Sequence, residues 1–561
     1  MLDQAYDVVV VGSGAGGAMA AHTLTKAGKK VLILEAGRDY DPVTETPMFN
    51  TPAEAPLRGA PTPDKPFGFY DATVDGGWQV PGEPYSKAEG SDFMWWRARM
   101  LGGRTNHWGR YSLRFSHHDF KGKSRDGLGA DWPFDYEELA PWYDRTEDLV
   151  GVCGTNTGLE DMPDSSPGIL QPPPKPRVPE LLIAAAASKL GITAAPMHRA
   201  ILTRPKDDRA ACFYATECGR GCSIGAAFQT TTSLIPMAKA TGNLTVQTDA
   251  MVKSVDVDAN GRVKAVTYID RKSVKPVTVS APVVVLAASA CESARILLNS
   301  KSEQHPNGLA NSSGQVGRNL MDSTGADVGT VVPALKGRPI YNEDGHTANH
   351  LFIPWWGHAA QAKGELDFPR GYHFEISSGF KPPGGYYPDK LQGYGHKMKQ
   401  QARFDYGAQI GLSLRGEMVP NQHCYMEIDD KVTDKWGIPV AKFHWQWSEH
   451  ELKQVRHGLA TARDIFKLLG AKVDDKLPEP ETAIKRGGEI IHEVGTTRMG
   501  ASAKESVTNQ WGQTWDCDNL FVMDGGVFAS NPHKNCTLTI MTLAMRNASW
   551  LAEQLNKGAI A

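Results

Sequence analysis

The stretch from Tyr6 to Gly37 constrains the fold more than any other part of the chain. YDVVVV leads into GSGAGG at residues 12–17, a regular Ala-rich segment follows, and KKVLILEAG closes at Gly37. An apolar run, a glycine turn, a helical run and a second apolar run form the opening half of a dinucleotide-binding βαβ unit. Gly12 frees the turn, Gly14 lets the backbone approach a pyrophosphate, and Gly17 lets helix and sheet pack closely. The amides at the start of the helix favour negative charge, as phosphate binding demands. Glu35, eighteen positions beyond Gly17, can accept from both hydroxyls of an adenosine ribose. A carboxylate there opposes a 2′-phosphate, so NADP is disfavoured while NAD and FAD stay open.

At 561 residues the chain requires two intimately joined domains, and 41 % hydrophobic with 22 % charged residues is an ordinary globular balance. Sixty basic against 63 acidic residues imply no nucleic-acid surface. No apolar run is long enough to cross a bilayer. The start, MLDQAYDVVVV, shows no basic leader before an apolar region, so a periplasmic address would require another chain to carry this one.

Residues 40 to 95 are rich in Pro, Gly and Asp and read as an irregular insertion over a site or against a partner. Then Gly102 and Gly103 interrupt a regular segment just before Asn106, His107 and Trp108. Asp135, three before Glu138, resembles a capping box that starts a helix carrying Leu139, Trp142, Tyr143 and Leu149. Alternating strands from 244 to 280, with Asn260-Gly261 as a hairpin signal, precede a buried strand at Val283 to Ala287. From about 325 to 480 the pattern suits a mostly antiparallel sheet with a helix from Ser448 to Leu468. Trp355, Trp356, Tyr386 and Tyr387 fit either a stacking wall for pyranose rings or a core. A final strand near Leu520 and a long helix from Thr537 close the chain.

Of the eight cysteines, three cluster as Cys212-x5-Cys218-x3-Cys222. Short glycine-containing spacings let thiolates converge on an iron–sulfur cluster, and three without a fourth suit a three-iron cluster best. Zinc with a His or Asp ligand, a disulfide plus a free thiol, and plain buried thiols remain open on spacing alone.

Laid side by side, VVVGSGAGG…LILEAG, LGGRTNHWG, DWPFDYEELAPWY, VVLAASACESARILLNS, HEVGTTRMG and NLFVMDGGVFASNPHKNCTLTIMTLAMR resemble the glucose–methanol–choline (GMC) oxidoreductases over essentially the whole chain. The resemblance implies an α/β fold: a Rossmann-like FAD-binding domain from discontinuous segments (1–50, 95–150, 215–325 and 510–561) and an α+β substrate domain with an antiparallel sheet (326–509). Residues 51–94 would form an extended insertion and 151–214 a cysteine-bearing connection. It further implies alcohol oxidation by hydride transfer to FAD, with His492 as base and Asn535 holding the substrate oxygen; His533 is a nearby rival to Asn535. Asn535 cannot act as a base, but its amide N–H can steady a developing alkoxide. The same register assigns Gly103, Asn106, His107, Val252, Asp524 and Thr537 to the cofactor cradle, and in the pyranose oxidase branch a histidine in the register of His107 carries the flavin covalently.

The cysteine spacing resembles the three-iron, four-sulfur run of bacterial FAD-dependent glucose dehydrogenase subunits, with Cys212, Cys218 and Cys222 as ligands. That branch implies a glucoside 3-dehydrogenase passing electrons through the cluster to a cytochrome c or quinone. A small subunit bearing an export signal would carry the enzyme to the periplasm, with the cytoplasm as the other address. Alternatives are a glucose 1-dehydrogenase, an oxygen-using pyranose or C-glycoside oxidase, and a redox-inactive scaffold or electron-transfer subunit.

Overall fold

The computed structural model describes residues 5–46, 76–214, 218–338, 349–377 and 393–560, together with Leu57, Ala60 and Thr62. Tyr386 and Tyr387, and most of residues 51–75, lie outside them.

Four-residue apolar runs at Val8–Val11 and Val31–Leu34 pair in parallel, joined by the helix Ala15–Lys26. Leu244–Gln247 adds beyond the second strand; Val284–Leu286 and then Leu520–Val522 add beyond the first, all in parallel. The strand order therefore assembles pieces from both ends and the middle of the chain. Val9, Val11, Leu32 and Leu34 enter one core, while Val8, Val10, Val31 and Ile33 enter another on the opposite face. Burial on both faces explains why these strands read as continuous apolar runs rather than alternating ones.

The first helix and the C-terminal helix Thr537–Asn556 cover one face, through Met19, Leu24, Met541, Ala544 and Leu551. A three-stranded antiparallel sheet, Ala250–Val257, Val263–Asp270 and Lys275–Ser280, contributes Val255, Val266 and Tyr268 to the core on the other. Gly261, at φ +78°, makes the turn that Asn260-Gly261 signalled. The helix Tyr136–Val150 forms as expected, but Asp135 makes no side-chain cap, so the capping box is absent there.

The second sheet runs Thr324–Val331, Gln409–Gly416, Tyr372–Ser377, Leu351–Ile353 and Ala195–Pro196, antiparallel throughout. Tyr372, Phe374 and Ile376 point into the core beneath the helix Glu449–Leu468, which supplies Val455, Leu459, Ile465 and Phe466. The two-residue period of a strand sends His373 and Glu375 to the other face. Ser448 and Glu451 build a true capping box at the start of that helix. The expected two-part α/β architecture is the one observed. Trp355, however, packs against Tyr372 and Phe368 in this core, with Trp356 beside it, and neither lines the large cavity. The stacking-wall reading of these two tryptophans is corrected to a packing one.

Close backbone approach holds the two ends of the chain together. A Cβ on Gly16 would lie 1.9 Å from the carbonyl oxygen of Met523, and one on Gly17 would lie 2.1 Å from that of Gly12. Both obstacles are backbone, which cannot swing aside. Gly16→Ala is expected to cost about 3 kcal/mol or more, read as a large fall in melting temperature; an unchanged melting curve would contradict this packing.

Candidate active site

A cavity of about 540 Å³ runs from the first glycine turn to the junction of the two sheets. Gly12, Gly14, Glu35, Gly103, His107, Val252, Asp524 and Thr537 all line it, as do His492 and Asn535 at its far end. Gly17 and Asn106 do not. Gly17 serves the turn, and the Asn106 amide is used up locally, donating to Leu101 O at 2.9 Å and accepting from Thr231 Oγ1 at 2.9 Å.

At the turn end, Glu35 accepts from Ser13 N at 3.0 Å, Ser13 Oγ at 2.5 Å and Gly37 N at 2.7 Å. A Cβ on Gly14 would meet no atom of the described residues within 4 Å, and Gly14 lines the cavity, so the space beside it belongs to the cavity. Asp524 binds Gly526 N, Ser293 Oγ and Ser289 N at 2.8, 2.5 and 3.2 Å, and burial pushes its carboxyl up to about 6. Ser289 carries a φ of +94°, strain worth roughly 1–3 kcal/mol in a residue that also lines the cavity. The insertion is anchored here as well: Arg99 bridges Glu83 at 2.7 Å and Glu292 at 2.5 Å.

Trp96 Nε1 donates to His107 Nε2 at 3.0 Å, which places the ring proton of the neutral imidazole on Nδ1. Burial holds that imidazole neutral, down to about 3, and Nδ1 is buried with no hydrogen-bond partner among the described residues. An orphaned donor of this kind costs about 1–3 kcal/mol unless something in the cavity accepts from it.

At the far end, His492 Nδ1 lies 2.9 Å from Ser323 Oγ, and its Nε2 lies 3.4 Å from Asn535 Nδ2. The amide donates, so Nε2 is the bare nitrogen and Nδ1–H donates to Ser323. Asp322 fixes the backbone beneath by accepting from His492 N at 2.9 Å, Ile490 N at 3.2 Å and Ser323 N at 2.8 Å. Burial first, then Glu493, pushes Asp322 up to about 7, whereas burial drives His492 down to about 3. Asn535 Nδ2 also donates to Glu375 Oε1 at 3.3 Å, and its Oδ1 has no hydrogen-bond partner among the described residues. The arrangement is a neutral base of fixed tautomer beside an amide that can both donate and accept. His533, buried on the far side of Asn535, does not line the cavity.

Ser323, Asp322 and Glu375 escaped the sequence reading. Nothing in the spacing of Asp322-Ser323 marks them. Glu375 did carry a signal, since HFE places two polar residues on one face of an otherwise apolar strand.

Residues 6–324 match the N-terminal and residues 420–544 the C-terminal profile of the GMC oxidoreductases. The chain belongs to this family. It is 30 % identical to 2-methyl-1,2-propanediol dehydrogenase of Mycolicibacterium austroafricanum, over 98 % of this chain and 96 % of that one. Identity to the fructose dehydrogenase large subunit of Gluconobacter japonicus is 27 %, over 98 % of each chain. Paromamine 6′-oxidase of Streptomyces fradiae is 28 % identical, over 99 % of this chain and 92 % of that one. Among solved structures, pyridoxine 4-oxidase from Mesorbium loti superposes with a TM-score of 0.64 at 15 % identity, covering 98 % of this chain and 99 % of its own. That likeness confirms the fold.

The FAD that the family implies fits the residues present. Gly14 leaves room for a pyrophosphate, the carboxylate at Glu35 borders the adenosine end, and His107 Nδ1 offers a donor in want of an acceptor. The iron–sulfur expectation does not survive. Among the described residues, which include Cys212, Cys218 and Cys222, no group of three or more His, Cys, Asp or Glu side chains is placed to hold a metal ion. Instead the three are free thiols packed with Ile201, Ala226 and Ala227. Their sulfurs take Tyr214 N at 3.3 Å, Arg199 Nη2 at 3.7 Å and Ala227 N at 3.4 Å respectively. Burial pushes the Cys212 thiol up to about 11 and raises that of Cys222, which keeps both protonated. The cluster, and the electron relay built on it, are withdrawn.

Gly14→Ala is expected to fold with a nearly unchanged apoprotein melting temperature but to lose most of its FAD, measured as bound flavin per chain. Retention of full flavin would refute this use of the cavity. A second expectation concerns acid. His22, His107, His350, His492 and His533 are held down to between about 3 and about 4, chiefly by burial. Between those values and 6.5 the unfolded chain binds more protons at these five sites, so stability rises with pH there. Asp322 and Asp524, pushed up to about 7 and about 6, act in the opposite sense but are fewer. The melting temperature should therefore fall as pH drops from about 6.5 to about 4; a flat or rising profile would contradict the neutral assignment.

Proposed function

We propose that this chain is an FAD-dependent oxidoreductase that oxidises a hydroxyl group of a sugar or glycoside to a carbonyl. When bound, FAD supplies the hydride acceptor. The observation that carries the reading is the pairing of a bare His492 Nε2 with the Asn535 amide, 3.4 Å apart, at one end of the dinucleotide cavity. A substrate oxygen set between them gives its proton to Nε2 and takes an N–H from Asn535. Ser323 holds the ring so that only Nε2 is offered, and Asp322 keeps the His492 backbone from shifting. Loss of the hydroxyl proton as the hydride departs is what a neutral, positioned imidazole provides.

The names of the relatives, a propanediol dehydrogenase, a fructose dehydrogenase subunit and a paromamine oxidase, support a hydroxyl-bearing substrate. With the cluster withdrawn, a cytochrome or quinone acceptor and a carrying subunit lose their main support. Carriage to the periplasm is left as a proposal for co-purification and cell fractionation to test.

The test is anaerobic mixing of the purified holoenzyme with sugars, glycosides and simple diols, followed by flavin bleaching and product identification by NMR. A sugar or glycoside should bleach the flavin and yield a ketone or aldehyde. His492→Ala should slow bleaching by about 10²–10⁴. Bleaching by diols alone would overturn the substrate class, and full activity in His492→Ala would overturn the mechanism.

A further inference from the structure

Two hydrogen-bonding arrangements satisfy Ser323, His492 and Asn535 among themselves. In one, His492 carries its proton on Nδ1, which donates to Ser323 Oγ at 2.9 Å, and bare Nε2 faces the Asn535 NH2 at 3.4 Å. In the other, the proton sits on Nε2 and donates to an Asn535 Oδ1 brought there by a half-turn of the amide, while the Ser323 hydroxyl donates to Nδ1. Ser323 fixes the direction of the ring, but its hydroxyl serves either tautomer, since a hydroxyl both donates and accepts. The first arrangement holds a base toward the substrate; the second does not, because its Nε2 is already protonated. Nothing within the trio chooses between them.

A fourth side chain does. Glu375, on the strand Tyr372–Ser377, is buried, and its Oε1 lies 3.3 Å from Asn535 Nδ2. Burial opposes ionisation of Glu375, but Arg415, with Nε 3.6 Å from Oε2, and His373, with Nε2 3.7 Å from Oε1, hold its carboxyl below the usual carboxylate range. An ionised carboxylate only accepts. A half-turn of the amide would therefore set Oδ1 against Oε1 with no proton between them, an arrangement a buried site penalises heavily. Asn535 Oδ1 has no hydrogen-bond partner among the described residues, so no contact at that end competes to orient the amide. Glu375 does not line the large cavity, so it bears on the reaction only through Asn535.

We propose that Glu375 is a positioning residue that selects the reactive tautomer of His492 by fixing the Asn535 amide. The inference rests on the alcohol-oxidation reading above. Glu375 belongs to the second sheet and Asn535 to the entry of the C-terminal helix, so the packing of one on the other decides where the imidazole proton sits. One N–H of Asn535 stays on Glu375. The other is left to turn from Nε2 to the substrate oxygen when a hydroxyl enters between them. Glu375 remains a carboxylate throughout and exchanges no proton.

Glu375→Gln keeps the shape but loses the acceptor-only character. Arg415, which only donates, retains the oxygen of the new amide, whose NH2 then faces Asn535 and draws Oδ1 toward it. The first measurement is solid-state ¹⁵N NMR of substrate-free holoenzyme labelled at histidine alone, with His492 picked out by difference against His492→Ala. The wild type should show Nε2 of His492 unprotonated, and Glu375→Gln should show it protonated. The second is anaerobic flavin bleaching at saturating substrate. Glu375→Gln should slow it by about tenfold or more, but by less than about twofold when Asn535→Ala is already present. Should Glu375→Gln fail to fold, Glu375→Leu frees the amide instead and should show a mixture of the two tautomers. A proton on Nε2 in the wild type, an unchanged tautomer in the variant that folds, or an undiminished loss in the Asn535→Ala background overturns the proposal. Failure of every alcohol to bleach the wild type is the separate failure of the functional reading, and the spectra then decide this proposal alone.

Discussion

Everything in this molecule depends on how closely the backbone of the first helix approaches strands drawn from elsewhere in the chain. Gly12 abuts the carbonyl of Ala287, Gly16 that of Met523, and Gly17 that of Gly12. A single methyl at Gly12 or Gly16 would push apart segments that are hundreds of residues distant in the chain. Because they meet, the Gly14 turn, the strained Ser289 and the Asp524 carboxylate border one cavity. His492 and Asn535 border the end of the same space, since Asn535 and Cys536 lead directly into the helix that packs on the first one.

Burial then sets the protonation of the site. Desolvation drives His492 and His107 toward the neutral form and Asp322 and Asp524 toward the protonated one. A neutral imidazole still has two tautomers, and geometry chooses between them. Ser323 takes the Nδ1 proton of His492, and Trp96 occupies Nε2 of His107. The result is two histidines of similar chemistry with opposite nitrogens on offer: Nε2 beside Asn535 and an Nδ1–H at the other end of the cavity.

The cysteines show where local spacing misleads. Short glycine-rich intervals permit thiolates to converge, but convergence also needs backbone directed at a common point and charge that favours thiolate. Here the chain packs Cys218 and Cys222 into an apolar cluster, and backbone amides rather than a metal meet the sulfurs of Cys212 and Cys222. Trp355 and Trp356 make the same point for aromatics. A pair of tryptophans in a Gly-rich region fits a sugar platform as well as a core, and only the alternation of the neighbouring strand decides for the core.

The sequence alone determined the parallel sheet, through apolar runs too continuous for a strand with one wet face. It also marked the glycine turn and Glu35 and, through resemblance to the family, His492 and Asn535. Tertiary structure alone decided the tautomer of His492 and its approach to Asn535. Glu375 comes from a sheet whose strands pair across long stretches of chain, Asp322 and Ser323 lead into another of its strands, and the hydrogen bonds that select a tautomer leave no local pattern.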